Sequence, residues 1–453
     1  MQLVSSELAH QFQVVPKSLE GQNLMMYVSQ VPDKSVQLDL ELILNKKIVY
    51  ETLDKAIFFE LLNTNYILNN DSVKLSNKTS SDNFLETLIQ ECKALKVSDI
   101  HFEVFKNLAR VRTRIDGKLI EKYQLEKEQY AELVNQIKIK SNLDITEKRL
   151  PQDGRINYDD FDIRVSILPT LHGEKMVLRI LGRDTDHLSL EGIGFSKQDL
   201  QIFEKALKAN KGIILISGPT GSGKTTTLYA SLKALNKVAT NILTIEDPIE
   251  YTLEGINQVQ LKEDIGLTFT KALKTFLRQD PDIIMLGEIR DATTAEMAIR
   301  ASLTGHLVLS TIHTNSALGT ISRLIDMGIP SFLIAETLSV SVAQRLVRKL
   351  CNHCKIEKDF NQQSDFNEIE GVTTHMEPQG CRYCHYTGYK GRVAIHEVLP
   401  INEEVKVVLK QTPQDLNSQI LPKSYSNLKD KAIQLIQTGV TSIEEVYSII
   451  IEN

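Results

Sequence analysis

The chain has no tryptophan, no surplus of positive charge, and no apolar run near the ~18 residues that a membrane-spanning helix needs. Its 52 Lys and Arg stand against 58 Asp and Glu, a formal charge of -6. That balance argues against broad binding of nucleic acid or of an anionic membrane surface, a local basic patch excepted. Stretches in which basic and aromatic residues interleave, the pattern that stacks bases while neutralising phosphates, are also missing. The opening Met-Gln-Leu-Val-Ser-Ser-Glu carries neither a cationic flank nor a long apolar segment, so no signal peptide is expected. A cytoplasmic location follows as an expectation, and there disulfides are rare and clustered cysteines point to metal. Cysteine itself is scarce, five in all. The 453 residues, 42% hydrophobic and 24% charged, suit a soluble globular chain of about three domains.

The most specific chemistry lies between Gly212 and Leu228. Ile213 to Ile216 form a short apolar run bounded by glycines, which reads as a buried strand. Gly218, Pro219, Thr220, Gly221, Ser222, Gly223, Lys224 and Thr225 follow at the spacing of a phosphate-binding loop, with Thr226 next to them a further nucleotide-binding candidate, and a helical pattern runs on through Leu232 and Leu235. Strand, glycine-rich turn and helix in that order are the context such a loop requires. The glycines let backbone N–H groups close on phosphate oxygens, and the helix N-terminus adds partial positive charge. Lys224 is expected to reach the β- and γ-phosphates and the Thr225 hydroxyl to ligate Mg2+, so the chain is read as binding a nucleoside triphosphate.

Residues 1–70 mix helical patterns with short strands, Leu24 to Val28 and Leu38 to Leu44 being the strand candidates and Asp54 to Leu62 an amphipathic helix. No catalytic constellation appears there, and a small adaptor domain is expected. Residues 71–82, rich in Asn, Ser, Asp and Lys, read as a linker. In the next segment, 83–187, Leu85, Leu88, Ile89, Cys92 and Leu95 mark one face of a helix, with Cys92 a buried small hydrophobe. Asp116-Gly117 forms a hairpin turn inside an alternating run, and a helix is predicted from Lys127 to Ser141. Arg155 and Arg164 alternate with apolar neighbours, which by itself describes a solvated strand face.

Residues 188–348 alternate strands and helices, the pattern of an α/β domain with a largely parallel sheet. The expected strands are Ile213–Ser217, Ile242–Ile245, Ile283–Leu286 and Leu307–Thr311, each ending on polar residues, where open α/β sheets place their ligands. Splitting off a γ-phosphoryl group needs a metal ion, charge neutralisation and a positioned water. Glu288 is placed to hold Mg2+ or its waters and Glu246 to polarise the attacking water, or the two exchange roles. His313, at a polar strand end, is either structural or a hydrogen-bond partner of the γ-phosphate or a carboxylate.

Cys351-x-x-Cys354 and Cys381-x-x-Cys384 form two tight pairs separated by Lys355 to Gly380, a polar, acidic segment poor in apolar residues. Paired motifs of this kind are the signature of a tetrathiolate Zn2+ site within 349–395, structural because four thiolates leave no open coordination position. A redox pair is the alternative. Residues 396–453 read as a strand end followed by short amphipathic helices.

Taken together, the motifs resemble the ATPases of type II secretion and type IV pilus assembly, over essentially the whole chain. The likeness rests on 218–225, on Thr-Ile-Glu-Asp-Pro-Ile-Glu-Tyr at 244–251 and on Leu-Arg-Gln-Asp-Pro-Asp at 277–282. It also rests on Gly-Glu-Ile-Arg-Asp at 287–291, on 304–315, on Ser-Asp-Ile-His-Phe-Glu at 98–103, on Leu-Pro-Gln-Asp-Gly-Arg-Ile at 150–156 and on the four cysteines. The fold implied is α/β: a RecA-like core preceded by a PAS-like α+β domain, with a small N-terminal adaptor and a zinc module. The resemblance also implies a homo-hexamer, peripheral on the cytoplasmic face of the inner membrane. Its N-terminal domain is expected to bind platform proteins, and no nucleic acid is expected as partner. Arg155 and Arg164 then become phosphate-sensing arginines, with Arg278 and Arg290 further candidates at a subunit boundary. A zinc module favours the secretion or pilus-extension branch. The classes left in competition are a nucleic-acid motor sharing this core and a non-catalytic adaptor, the latter requiring a defective site.

Overall fold

The computed structural model describes the chain apart from residues 1–3, 5–7, 10–11, 21–22, 45, 56, 59–60, 63–72, 75–80, 183–188, 360–371, 373, 413–420, 422–424 and 452–453. It divides into two compact units. One comprises residues 1–183 with 380–386, the other 184–379 with 387–453. The expected linker lies largely outside the described residues.

In the first unit, β1 (Val15–Glu20) pairs antiparallel with β2 (Asn23–Val28), and β3 (Lys47–Thr52) lies parallel to β2. Strand β2 alternates as expected, with Leu24, Met26 and Val28 in the core. The run Leu38 to Leu44, expected as a strand, is instead helical, within α1 (Lys34–Leu44). Its leucines fall at every second position, but Val36, Leu40 and Leu44 also repeat every four. That second period won: these three pack into the core while Leu38 is 59% exposed. A parallel β2–β3 pair also needs a crossover, and the helix supplies it.

After β4 (Val73–Lys74) and α2 (Ser81–Ala94) come β5 (Asp99–Val104), β6 (Ala109–Ile115), β7 (Lys118–Leu125), α3 (Lys127–Lys140), β8 (Gln152–Asn157), β9 (Phe161–Thr170) and β10 (Gly173–Gly182). The strands form one sheet in the order β4-β7-β6-β5-β10-β9-β8. The β6–β7 turn takes the left-handed backbone that Asp-Gly favours, φ 47° at Asp116 and 88° at Gly117. Leu85, Leu88, Ile89 and Cys92 of α2 are all buried in this core, and burial pushes the Cys92 thiol up to about 12. A thiol so placed is an inert hydrophobe.

The second unit is built on a sheet ordered β13-β12-β14-β15-β11-β16-β19. In chain order it runs from α4 (Lys197–Leu207) through β11 (Gly212–Ser217), α5 (Lys224–Leu235), β12 (Ile242–Glu246) and β13 (Asn257–Gln260). It continues with α6 (Phe269–Phe276), β14 (Ile283–Leu286), α7 (Ala292–Leu303), β15 (Leu307–Ile312), α8 (Ala317–Asp326), α9 (Ser331–Thr337) and β16 (Leu338–Leu350). Then come a hairpin of β17 (Lys355–Asp359) and β18 (Thr374–Pro378), β19 (Tyr389–Pro400), α10 (Glu403–Gln411), α11 (Leu428–Gln437) and α12 (Ile443–Ile451). All neighbours in the large sheet are parallel except β16 and β19. Ile213 and Leu215 belong to one apolar cluster and Ile214 and Ile216 to another, so β11 is covered on both faces. Among the described residues, no helix is long and apolar enough to cross a membrane.

Candidate active site

The four expected strands all form, and β11, β12, β14 and β15 lie side by side in the sheet. Parallel pairing brings their C-terminal ends to one edge, so Gly218, Glu246, Glu288 and His313 gather there although they are far apart in the chain. The loop leaves β11 through Gly218 (φ 144°) and turns at Gly221 (79°) and Gly223 (86°), conformations that side chains disfavour. Gly223 is the residue from which α5 starts. Pro219, Thr220, Thr225 and Thr226 are exposed around this turn, while Ser222 is buried.

Lys224 donates to the carbonyls of Gly218 at 2.8 Å and Pro219 at 3.0 Å, and so lies across the loop. Burial pulls its ammonium below the usual lysine range, Glu288 opposes that pull and Arg345 adds to it. Glu288 lies on the loop after β14, where one oxygen meets Arg290 and the other stands 3.4 Å from Nε2 of His313. Cation, carboxylate and imidazole are thus assembled at the mouth of the loop. Arg290 also stands 3.8 Å from Asp247. His306, the other histidine near β15, donates from Nδ1 to Ala301 O at 2.8 Å and so fastens the end of α7.

Glu246 is differently placed. It is 4% exposed and takes hydrogen bonds from the Tyr229 hydroxyl, Thr244 Oγ1 at 2.6 Å and Gln258 Nε2 at 3.1 Å. Burial and the Glu246 charge both push the Tyr229 phenol up, so it remains a donor. With its oxygens occupied by three donors, Glu246 is braced in the sheet end, whereas Glu288 is partly open.

Arg155 and Arg164 belong to the first unit, directly opposite each other on β8 and β9, and Arg155 is held by Asp162. Arg164 faces Arg179 on β10 in turn, and Arg179 Nε donates to Asp99 at 2.9 Å. Three arginines therefore stand in one cross-strand row. Arg179 was missed because strand register is not readable from one strand. Arg278, after α6, donates to Thr275 Oγ1 at 3.4 Å.

Sequence reasoning also missed β16, which carries Gln344 and Arg345 to the loop. Gln344 bonds Ser222 O and Thr227 Oγ1, and Arg345 donates to Asn315 O at 2.9 Å, two residues past His313. The alternation Leu338-Ser339-Val340-Ser341-Val342 was the available signal.

The sulfur atoms of Cys351, Cys354, Cys381 and Cys384 all lie within 4.8 Å of one another, and Cys381 and Cys384 are 3.7 Å apart. A tetrahedral Zn2+ with bonds near 2.3 Å sets its sulfurs about 3.8 Å apart, so the donor set fits that ion. None of the four is in a disulfide. The Cys384 sulfur also accepts from Cys381 N at 3.1 Å, the backbone support expected of a thiolate ligand.

Residues 75–448 match the family model described as type II/IV secretion system protein. The type II secretion system protein E of Pectobacterium carotovorum subsp. carotovorum is 43% identical over 369 residues, 80% of this chain and 74% of that protein. The type IV pilus assembly ATPase PilB of Myxococcus xanthus is 45% identical over 364 residues, 78% of this chain and 64% of that protein. A crystal structure of the pilus retraction motor PilT with bound ADP superposes with a TM-score of 0.55 at 26% identity, covering 80% of this chain and 95% of PilT. A phosphate loop with its lysine and a partly open carboxylate at one sheet edge fits the chemistry of an ATP-hydrolysing enzyme. The chain belongs to the type II/IV secretion system protein family and is an ATPase of it.

Proposed function

We propose that the protein is the motor of a type II secretion system, a homo-hexamer at the cytoplasmic face of the inner membrane that hydrolyses Mg-ATP to drive assembly of pilin-like subunits. The observation carrying this reading is the site at the sheet edge, where Lys224, Glu288 and His313 converge on one phosphate loop. In it, the loop amides and Lys224 bind the β- and γ-phosphates, and Thr225 and Glu288 hold Mg2+ or its waters. Glu246, whose oxygens are taken by Tyr229, Thr244 and Gln258, supports the site's shape; Glu288, the more open of the two, is the better candidate to direct the water. His313 reports the γ-phosphate through Glu288. Arg155 and Arg164, with Arg179 beside them, supply cations to a bound nucleotide during the domain movement.

The segment 1–70, all of it outside the matched 75–448, serves as the adaptor that binds a platform protein. Zn2+ on the four cysteines fixes the excursion between β16 and β19. Pilus extension is the second reading, favoured by the similarity to the Myxococcus PilB, and it leaves the motor chemistry unchanged. Co-purification of the full chain with the host's inner-membrane platform proteins tests the assignment. Capture of a type II secretion platform protein supports it, and capture of a pilus platform protein moves the function to pilus extension. Absence of Mg-dependent phosphate release from the chain with its platform partner would overturn both.

A further inference from the structure

The phosphate loop is not held by its own residues alone. Strand β16 runs parallel to β11, with Ala343 opposite Ser217, so Gln344 follows at the level where β11 gives way to the loop. Gln344 is 1% exposed, and both ends of its amide are used. Oε1 accepts from Thr227 Oγ1 at 2.8 Å, and Nε2 donates to the Ser222 carbonyl at 2.8 Å. The fit is close. A Cβ on Gly218 would lie 2.3 Å from the Gln344 carbonyl oxygen, and one on Gly223 would lie 2.9 Å from Nε2. Two of the loop glycines thus leave room for this residue as well as meeting the demands of their backbone angles.

A trans peptide points its carbonyl and the following N–H in opposite directions. Holding Ser222 O on Gln344 therefore turns the Gly223 N–H away from β16, into the hollow where successive loop amides meet an anion. We propose that Gln344 is a positioning residue for nucleotide binding, orienting the 222–223 peptide so that its N–H is aimed at phosphate oxygen. The inference rests on reading the loop as a nucleotide site. Only a side chain with a donor and an acceptor at this length makes both bonds: glutamate loses the donor when ionised, and methionine loses both.

The test is a calorimetric titration of the full chain with MgADP, comparing wild type, Gln344→Met, Gln344→Glu and Thr227→Val. Melting temperatures without nucleotide identify any variant that fails to fold. Both Gln344 variants should bind MgADP about tenfold more weakly or worse, the effect of losing one buried hydrogen bond to the site's backbone. In turnover, KM for ATP should rise by a similar factor with kcat changing far less, because the amide contact is made in ground and transition states alike. Thr227→Val keeps the bond to Ser222 and should stay within about threefold of wild type. If Gln344→Met does not fold, the nearly isosteric Gln344→Glu carries the same comparison. Binding by a folded Gln344 variant within about threefold of wild type would overturn the proposal. An equal loss in Thr227→Val would also overturn it, since Gln344 would then act through α5 and not through the peptide. If wild type itself binds no MgADP, the nucleotide reading fails instead, so the two failures are distinguishable.

Discussion

Acidification should destabilise the second unit through one imidazole. His396 lies on β19, 3% exposed, its ring stacked on Phe195 with centroids 3.8 Å apart and planes 19° from parallel. Burial pushes it down to about 4, against the pull of Asp199. In the unfolded chain a histidine titrates near 6.5. Between those values the unfolded chain binds a proton that the folded chain refuses. Stability is therefore flat above about pH 6.5, falls as the pH drops through the window, and has lost its full share near pH 4. At roughly 1.4 kcal/mol per pH unit, the share is about 3 kcal/mol. The assay is guanidinium unfolding of wild type and His396→Gln at several pH values between about 7 and 4.5. Carboxylates and cysteines titrate in both proteins and cancel in the difference. The wild type should lose about 2 to 3 kcal/mol more than the variant across that range. A difference that stays constant within about 1 kcal/mol would refute the claim that burial holds His396 neutral.

Lys224→Ala should abolish ATP turnover, measured as phosphate release, while zinc content remains that of wild type; appreciable remaining activity would count against the assigned loop. Glu288→Gln should cut kcat by about a hundredfold or more with MgADP binding largely kept. Glu246→Gln should instead lower the melting temperature, because it exchanges a charged acceptor of three buried hydrogen bonds for an amide, at a cost of about 2 kcal/mol. If Glu246→Gln proves the more severe for kcat in a fully folded protein, the two carboxylates have exchanged roles. Cys354→Ser should release Zn2+ and expose the β17–β18 hairpin to proteolysis, since metal binding supplies folding energy in such modules. Wild type lacking zinc by elemental analysis would end that prediction at its first step.

Much of the molecule was legible in advance where local chemistry and period agreed. The turn Asp116-Gly117, the buried face of α2 and the loop 218–225 each demanded a single structure, and each formed. Leu38 to Leu44 shows the limit: its leucines satisfy two periods at once, and the choice fell to the helix because a parallel pair of strands needed a crossover. Strand β16 escaped notice although its alternation was present, and with it went Gln344 and Arg345.

The sequence by itself determined which groups could do chemistry. Glycines at fixed offsets, a lysine, carboxylates at strand ends and four paired cysteines are statements about residue type and spacing along one chain. What only the tertiary structure decided was which of these groups share a space and in what state. Parallel pairing of β12, β14, β15 and β11 set Glu288 beside Lys224 and His313, while burial closed three donors around Glu246. Strand register aligned Arg179 with Arg164 and Arg155, and it brought Gln344 under a loop more than a hundred residues away in sequence. Spacing is a local property, but register and burial depend on every strand that joins the sheet, so they come into being only when the chain has folded.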